Sequence, residues 1–560
     1  MNSLSRYRNF FLAVFICLVF LYSFNQINNS DTFYDLKTGQ YILENFKIPT
    51  HDIFSLPAYG APWVPHEWLA QIIFYLVYGI GGFLGLIVFS ALFGVSTYYI
   101  LWRLAVKKGA DFHLSILLMF LLSYLTLELW VPRPQIFAYL SFAVLIYLLE
   151  SYRDKPDKKY LLGSVLTIWF WANTNASFIL GLVVIVFYFF SEMMGNRWRE
   201  LVNKSLSLEE VKNLGFAAAA SIFAAFLTPA GYHGFLYSFY VKEVANYLNV
   251  LEWKPITVFL YEVQAQFFLA ILFLVDAFFV WWFWLRKESR DITLLGLALG
   301  VSLLPFISIR HVGFWPIALF VSAAVSLSGM LKIFLTRFSD KSLGIFLFII
   351  GIVFISGRLL WFPKSLISEN IIPVKAVDFI KENQIHGPLF NLYNEGGYLI
   401  FRLWPEDKVF IDGRSEVYGG QPIIDFFTIF GRHRGWQELA EAKYNLNYFF
   451  FDSYLHPAVR KFIEPLTLEL LKNNFSLVYW DDLTIVLVRD VPENSEVIKK
   501  YGLKHINPFR NPETIPPGET KTAAAEIQSL LDRFPGSSAA RDYADRFLGA
   551  RSNIKFIPSF

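Results

Sequence analysis

The chain has 560 residues, of which 55% are hydrophobic and only 17% are charged, with a net charge of +3 and a mean hydropathy of +0.43. A soluble domain has about 25% charged residues, so this composition excludes a disordered chain, a coiled coil and an ordinary cytosolic enzyme. The small net charge gives no reason to expect a nucleic-acid partner. The single cysteine, Cys17, excludes disulfides within the chain and cysteine-based metal clusters. The composition predicts a polytopic membrane protein.

Apolar stretches long enough to cross a bilayer recur through the first two thirds of the chain. A spanning helix needs roughly 20 mostly apolar residues, and about eleven stretches qualify. They lie at about 9–27, 82–104, 113–130, 135–150, 160–173, 176–192, 212–228, 263–285, 291–308, 312–331 and 342–361. A further apolar stretch at 67–80 is expected to form a helix near the interface that leads into the second span.

The basic residues predict the orientation. With the N-terminus inside, the inner loops hold about 19 Lys and Arg and the outer loops hold six, which agrees with the positive-inside rule. An odd number of spans then places the hydrophilic C-terminal region outside. The first apolar stretch lacks an A-x-A-like cleavage site, so we expect an uncleaved first helix. A bacterial inner membrane is the expected location.

The predicted fold is a polytopic α-helical membrane protein with a C-terminal extracytoplasmic α/β domain. The predicted domains are a transmembrane domain at 1–361 with an outer loop at 28–67, the α/β domain at 362–490, and a Pro-rich linker with a helical tail at 491–560. Strand patterns occur at 387–393, 408–413, 446–453 and 476–488, the last with a turn at Asp481 and Asp482. Helical patterns occur at 374–384, 421–431, 434–443, 457–472, 520–533 and 537–549. No glycine-rich phosphate-binding motif is present, so nothing predicts a nucleotide site.

Acidic residues and histidines are concentrated in the first outer loop. Asp31 and Asp35 follow the first span, Asp52 lies in the middle of the loop, and His66 and Glu67 precede the next helix. Carboxylates near the bilayer interface can hold a divalent metal or act as a general base. The same residues can instead begin a helix or form an Asx turn. Both interpretations remain open from the sequence.

Two further groups lie at the outer ends of predicted spans. Glu128 and Arg133 occur in LELWVPRPQ (127–135), and Arg310 with His311 occurs in SIRH. Arginine suits phosphate recognition, and an acid within a span usually has a functional or paired role. The alternatives are a Glu128–Arg133 ion pair and an arginine that reaches the interface.

A glycine-rich acidic block lies in the α/β domain, NEGGYLIFRLWPEDKVFIDGRSEVYGG (394–420). If 408–413 is a strand, Asp412 and Arg414 lie at its carboxyl end, where α/β domains tend to place sites. Glu395 and Glu416 flank this pair. The alternative is a tight turn held by salt bridges.

This layout resembles the GT-C superfamily of polytopic glycosyltransferases, which use polyprenyl-phosphate-linked sugars. The segment DTFYDLKTGQYILENFKIPTHDIFS…PWVPHEWL is similar to a bacterial group whose first loop reads like D-x-W-W-H-L-x-T-G…I-P-x-x-D-x-F-S…W-x-x-H-E-W-L. The RPQ at 133–135 and the NEGGYLI…FIDGRSEVYG block are also similar to that group, and the resemblance extends to about residue 490. The block also distantly resembles the W-W-D-Y-G region of oligosaccharyltransferase catalytic subunits, with Tyr393-Asn394-Glu395 in place of W-W-D.

The resemblance implies a glycosyl transfer at the outer face of the membrane. Asp31 falls on the first-loop acid of the family, while Asp35 stands where the pattern has His. The expected residues are Asp31 and Asp35 for catalysis; Arg310, His311, Arg133 and Glu128 for the donor phosphate; and Asp52, His66, Glu67, Glu395, Asp412 and Arg414 on the acceptor side. No cofactor is certain, and a divalent metal, if one binds, is expected at Asp31.

The implied partners are a polyprenyl-phosphate-linked sugar and a glycan, lipid or protein acceptor. Three alternatives remain: a polymerase or ligase of lipid-linked glycans, a transporter or flippase, and a non-catalytic scaffold. The predicted spans carry few charges in their middles and show no internal repeat, which favours a transferase over a transporter.

Overall fold

A computed structural model describes residues 2–197, 206–236, 250–285, 291–335, 339–360 and 362–549. The chain forms two compact units. The membrane unit comprises Met1–Ile27, Thr38–Ile48 and Val64–Leu366, and the C-terminal unit comprises Asn28–Lys37, Pro49–Trp63 and Ile367–Phe560.

Except for α2, which lies in the predicted outer loop 28–67, the helices up to residue 360 overlap the predicted spans and the apolar stretch at 67–80. They are α1 (Asn2–Ser23), α2 (Asp31–Asn45), α3 (Trp68–Lys107), α4 (Phe112–Leu125), α5 (Gln135–Asp154), α6 (Lys158–Thr174), α7 (Phe178–Arg197), α8 (Leu208–Ala225), α9 (Val263–Leu285), α10 (Ile292–Ser302), α11 (Phe314–Leu335) and α12 (Asp340–Leu360). Among the described residues, five segments are long and apolar enough to cross a membrane: Trp68–Lys107, Gln135–Asp154, Val263–Trp282, Ile309–Leu331 and Lys341–Leu360. The total of eleven spans stays a prediction.

Helix α3 contains the junction that the sequence indicated between 67–80 and 82–104. The helix is interrupted at Gly82, whose φ of +57° and ψ of −150° are not helical. Glycine adopts this conformation without the steric cost that a β-carbon brings. The apolar stretch at 67–80 and the second span are therefore two helical segments that meet at this glycine.

A buried ion-pair network joins α5, α7 and the residue before α10. The Arg153 guanidinium contacts Glu150 at 2.9 Å, Glu192 at 2.6 Å and Asp291 at 3.0 Å, and Lys108 Nζ lies 2.5 Å from Glu150. Buried charges are tolerated when they are paired in this way. Only the Glu150–Arg153 pair, three residues apart on α5, is indicated by spacing along the sequence.

The C-terminal unit contains one four-stranded sheet in the order β1-β2-β4-β3. Its strands are β1 (Leu389–Asn391), β2 (Tyr448–Asp452), β3 (Phe475–Trp480) and β4 (Thr484–Arg489). Strands β1 and β2 are parallel, and the other two pairings are antiparallel. All five residues of β2 are buried, as expected for a strand covered on both faces. Phe390 of β1 packs against Phe426 and Phe449 at ring-centroid distances of 5.5 and 5.4 Å.

Helices pack around this sheet and continue into the tail. They are α13 (Val374–Glu382), α14 (Gly396–Leu403), α15 (Gln421–Phe430), α16 (Pro457–Leu470), α17 (Ser495–Tyr501), α18 (Thr520–Arg533) and α19 (Ser538–Gly549). The tail is anchored by Asp482, whose carboxylate accepts from the hydroxyl of Ser537 at 2.7 Å and from the backbone N–H of Ala539 at 2.7 Å. The two tail helices were predicted within one residue of their ends.

Three of the four predicted strands are confirmed, and the strand at 408–413 is wrong. Val409 makes only a single bridge with Ser55. The next backbone groups bond to a side chain instead of a neighbouring strand: the Asn391 amide accepts from Phe410 N–H at 2.7 Å and donates to Ile411 C=O at 2.7 Å. The Asn391 side chain makes the hydrogen bonds that a neighbouring strand would otherwise make. The segment is therefore buried without being a strand. The helix predicted at 434–443 is also reduced, to a π-helical turn at Glu438–Lys443.

Candidate functional site

Asp31 lies at the start of α2, in a close-packed corner of the C-terminal unit. Its backbone N–H donates to Asn29 Oδ1 at 2.8 Å, and the side chain is half-buried. The preceding residue, Ser30, accepts through its hydroxyl from Tyr398 N–H of α14 at 2.9 Å. A β-carbon at Gly397 would overlap the Ser30 carbonyl oxygen. The glycine of the N-E-G-G-Y motif therefore lets the first turn of α14 approach the first turn of α2.

The carboxylate of Asp31 packs against the D-G-R segment. A β-carbon at Gly413 would overlap Asp31 Oδ1 and would lie 3.4 Å from the Tyr34 ring. The Tyr393 hydroxyl donates to the Gly413 carbonyl at 2.9 Å and lies 2.5 Å from Ser415 Oγ. Burial raises the pKa of Tyr393, and the charge of Asp31 adds to the shift. Tyr393 is therefore a neutral phenol that holds Gly413 beside the Asp31 carboxylate.

Asp35 lies one helical turn beyond Asp31 and is fully buried. Solvent reaches the Asp31 side chain but not Asp35. Of the two acids proposed for catalysis, Asp31 is the one that an acceptor can approach.

Asp52, Asp412 and Arg414 form a buried ion cluster. Arg414 Nε and Nη2 donate to Asp412 at 2.8 and 2.6 Å, and Nη1 donates to Asp52 at 2.6 Å. Tyr418 also bonds to Asp412, and Ser55 bonds to Asp52. Burial opposes the charge of Arg414, but Asp412 and Asp52 outweigh that cost and hold its pKa above the usual range. Arg414 is charged and neutralised by two carboxylates.

Aromatic rings complete the enclosure of this cluster. The guanidinium carbon of Arg414 lies 5.0 Å from the Phe54 ring centroid and 4.6 Å from that of Trp63. Trp63 also donates to Glu416 Oε1 at 3.3 Å. A guanidinium between two rings and two carboxylates has its bonding capacity used within the protein. The arrangement favours the salt-bridged turn over a surface that an acceptor could reach.

Glu395 and Asp452 form a second buried acidic group. Glu395 Oε1 accepts from Leu392 N–H at 2.6 Å. Burial raises the pKa of Glu395, and the nearby Asp452 raises it further; burial also raises the pKa of Asp452. Two carboxyl groups bond to each other only by sharing a proton. The pair therefore holds a proton to higher pH than two separate carboxyl groups would.

The membrane unit brings together the two arginines expected at the donor phosphate. Arg133 Nη2 lies 3.5 Å from Glu252 Oε1. Arg310 stacks on Trp253 at 5.0 Å from the ring centroid, and its Nε bonds to the Gln135 amide oxygen at 3.2 Å in the amide orientation that satisfies both groups. The charge of Arg133, and then that of Arg310, lowers the pKa of Glu252. Two cations from separate segments of the chain thus share one anion.

Glu67 and His66 belong to the same electrostatic group. Glu67 is buried; its Oε1 accepts from Asn175 Nδ2 at 2.8 Å and lies 3.6 Å from His66 Nε2. Burial tends to raise the pKa of Glu67, but His66, Arg310 and Arg133 together lower it. Glu67 is therefore an ionised carboxylate that helps to balance the two arginines.

The remaining donor-side residues are less central. His311 occupies the short 3-10 turn Ile309–His311, with its ring 6.4 Å from the Phe314 centroid. Glu128 is exposed on the turn Leu127–Leu129. The acid that pairs with Arg133 is Glu252, so the alternative of a Glu128–Arg133 ion pair is replaced by a pair that the sequence did not indicate.

A small recess of about 10 Å³ lies beside His66 and Trp68. Its other walls include Ala172, Ala176 and Ala225. Trp68 donates to Asn173 at 2.9 Å, which fixes one wall. The recess has the size of about one water molecule.

Within the described ranges, no three His, Cys, Asp or Glu residues are grouped closely enough to hold a metal ion. Gly413, Tyr34 and Tyr393 are close to Asp31, and they are poor donors for a divalent cation. These neighbours do not fit a metal site at Asp31.

Four residues of these groups were not predicted as site residues from the sequence. Glu252 and Trp253 lie in the region 229–262, where no motif or spacing marks them. Tyr393 directly precedes the N-E-G-G-Y motif, and Gly413 is the glycine of D-G-R. Their glycines were a usable signal, since tight glycines indicate close backbone approach.

No protein-family model matches the chain, and no curated protein matches it. Solved structures do match. One is the archaeal oligosaccharyltransferase AglB from Archaeoglobus fulgidus, in complex with an inhibitory peptide and a dolichol-phosphate. The sequence identity is 13%, the match covers 98% of this chain and 87% of that chain, and the TM-score is 0.57.

At this identity the likeness concerns the fold. The chain has a distant oligosaccharyltransferase-like fold, that of a polytopic membrane protein with a C-terminal domain. The predicted polytopic helical architecture with a C-terminal domain is confirmed at that level. The GT-C superfamily and the resemblance to one bacterial group stay predictions.

Proposed function

We propose that the chain is a membrane glycosyltransferase that moves a sugar from a polyprenyl-phosphate carrier to an acceptor on the outer face of a bacterial plasma membrane. The observation that carries this proposal is the fold likeness to AglB over 98% of the chain. AglB is an oligosaccharyltransferase solved with a dolichol-phosphate and a peptide, which supports a lipid-linked donor and a separate acceptor. The N-terminus is then cytoplasmic and the C-terminal unit extracytoplasmic.

Asp31 is the proposed general base. The acceptor hydroxyl oxygen attacks the anomeric carbon of the donor sugar, and its proton passes to the Asp31 carboxylate. As the new carbon–oxygen bond forms, the bond from the anomeric carbon to the phosphate oxygen breaks, and its electron pair leaves with the phosphate. The half-buried position of Asp31 beside Gly413 and Tyr393 supports this role, because the carboxylate is held in one place yet remains reachable.

Arg310 and Arg133 are the proposed ligands of the donor phosphate, with His311 close in sequence. Arginine binds phosphate oxygens through two parallel N–H groups, and fixed positive charge stabilises the negative charge that develops on the leaving phosphate. The Trp253 ring and the Gln135 amide that contact Arg310 are uncharged. The carboxylates of Glu252 and Glu67 balance its charge without a direct contact, so the guanidinium can still bind an incoming anion.

The acceptor side is proposed to use His66, which lines the recess of the membrane unit, and its neighbour Glu67. The predicted acceptor residues Asp52, Asp412 and Arg414 are better suited to holding the first loop against the C-terminal segment, because they are buried and mutually neutralised. Glu395 fits a proton-sharing structural pair rather than a contact to an acceptor.

The test measures the thermal stability of the full chain in nanodiscs with and without undecaprenyl phosphate. The wild type is expected to be stabilised. Arg310→Ala is expected to lose this shift, and Asp31→Asn is expected to keep it while losing glycan product in cells. Lys159→Ala, at an exposed position in the first turn of α6, is the matched control for removal of a positive charge.

Each pattern of results has a distinct meaning. No shift with any polyprenyl phosphate would contradict the donor assignment and favour a transporter or a scaffold. A shift that survives in Arg310→Ala would move the phosphate site away from this arginine. Full product formation by Asp31→Asn would remove the proposed base.

A further inference from the structure

Helix α15 of the C-terminal unit exposes apolar side chains on its outer face. Ile423 and Phe426 are buried on its inner face, whereas Ile424 is 48% and Phe427 is 37% exposed. The acid within this helix, Asp425, faces inward, where it accepts from Lys443 at 2.5 Å and from Tyr444 at 2.6 Å. The helix is apolar on both faces, which is unusual for one packed on the surface of a soluble domain.

The exposed apolar surface continues onto α16. The rings of Phe430 and Phe462 lie 5.0 Å apart, and Phe462 is 39% exposed. Lys461 Nζ lies 5.1 Å from the Phe462 ring centroid. Ile424, Phe427 and Phe462 form an exposed apolar patch, here called the α15 face. Lys461 lies at the edge of this patch.

A basic turn follows α15 directly. Arg432, His433 and Arg434 are all exposed, and the backbone N–H groups of Arg432 and His433 bond to Ile429 and Thr428 carbonyls at 3.1 and 2.9 Å. These bonds fold the turn back onto the end of the helix. Positive charge is thereby fixed at one border of the α15 face.

We propose that the α15 face binds the headgroup region of a bilayer that contains anionic phospholipids. Exposed large apolar side chains beside arginine and lysine are the pattern of helices that lie in the membrane interface, and the basic turn complements the charge of anionic lipids. The chain carries its own membrane-spanning segments, so a lipid surface is always present at a high effective concentration. The charge of this face does not favour a second copy of the chain or another protein in the way that it favours an anionic bilayer.

The single cysteine makes a site-specific test possible. In a Cys17→Ser background, Phe427→Cys is labelled with an environment-sensitive fluorophore, and the full chain is placed in nanodiscs of phosphatidylcholine with or without phosphatidylglycerol. Ser529→Cys, exposed on α18, is the matched control. With phosphatidylglycerol, we expect blue-shifted emission at position 427 and about twofold or greater extra quenching by lipids with a headgroup-proximal spin label.

Removal of the charges tests the electrostatic part. Arg432→Ser combined with Arg434→Ser is expected to abolish the dependence on phosphatidylglycerol, as is high salt, which screens exposed charges beyond about 3 Å at 1 M. Equal quenching at positions 427 and 529 in both lipids would overturn the proposal. A blue shift in detergent that grows with protein concentration would also overturn it, in favour of a second copy on this face.

Discussion

Two arginine clusters, one in each unit, show how the same residue type serves different ends. Arg414 is buried, donates to Asp412 and Asp52 at 2.6–2.8 Å and lies between two aromatic rings. Arg133 retains 17% side-chain exposure, and its partner Glu252, at 3.5 Å, retains 42%. The Arg414 cluster is closed, because its charges are buried and fully paired. The Arg133 cluster is open, because its charges are partly exposed and loosely paired.

The difference follows from how each charge is compensated. A buried guanidinium must be neutralised by short bonds, because an unpaired buried charge is very costly. A guanidinium that is partly exposed and makes a long contact gains little from its carboxylate and can exchange it for another anion. Closure therefore indicates a structural role, and openness indicates a binding role.

The largest expected effect is on the closed cluster. Arg414→Ala leaves two buried carboxylates without their cation and is expected to destabilise the protein by ~3–5 kcal/mol. A lowered melting temperature and faster proteolysis of the C-terminal unit would report this. Arg310→Ala, in the open cluster, is the comparison and should melt close to the wild type. Equal melting of Arg414→Ala and the wild type would contradict the structural assignment.

The next effect concerns the approach of Gly413 to Asp31. In Gly413→Ala the added methyl group must displace the Asp31 carboxylate, and misplacement of a reacting group by about 1 Å can cost roughly 10²-fold in rate. Glycan product in cells should fall by about that factor, while the stabilisation by undecaprenyl phosphate persists. Gly518→Ala, where a β-carbon meets nothing within 4 Å, is the control. If the two variants make equal product, Gly413 does not position Asp31.

The pH dependence of stability tests the buried pair of Glu395 and Asp452. The raised pKa of Glu395 means that the folded state holds a proton that the unfolded state releases above about pH 4.3. Stability from this group is therefore lost as pH rises from that value to the folded pKa, by up to about 1.4 kcal/mol per pH unit.

Glu395→Gln keeps the hydrogen bonds but removes the titration. The difference in melting temperature between variant and wild type should grow in favour of the variant as pH rises. Glu496→Gln, an exposed acid, should show no such trend. A constant difference across the pH range would mean that Glu395 is not protonated in the folded protein.

The smallest effect is expected in the open cluster. Glu252→Gln removes the anion that competes for Arg133, so undecaprenyl phosphate should bind more tightly by a factor of up to about ten, since half-exposed ion pairs contribute about 1 kcal/mol or less. Titrated thermal shifts measure the change, with Glu209→Gln as a control on an exposed helix start. Weaker binding would mean that Glu252 itself helps to hold the ligand.

The helices and most strands could be predicted from local patterns. Long apolar runs indicated α3, α5, α9, α11 and α12, and the turn at Asp481–Asp482 indicated the β3–β4 hairpin. The strand expected at 408–413 failed because its apolar residues are buried while Asn391 takes over two backbone hydrogen bonds. A hydrophobic pattern indicates that a segment is buried, but it does not indicate which group forms hydrogen bonds with its backbone.

The sequence by itself determined a membrane protein with a hydrophilic C-terminal region, because apolar runs and charge counts depend only on neighbouring residues. It also marked Asp31, Arg133, Arg310 and the glycine motifs as unusual. Only the tertiary structure decided that Arg414 is neutralised by Asp52, that Arg133 pairs with Glu252, and that Gly413 lies against Asp31. These pairs are separated by 119 to 382 residues, and an ion pair or a close contact between distant residues depends on packing that no local pattern encodes.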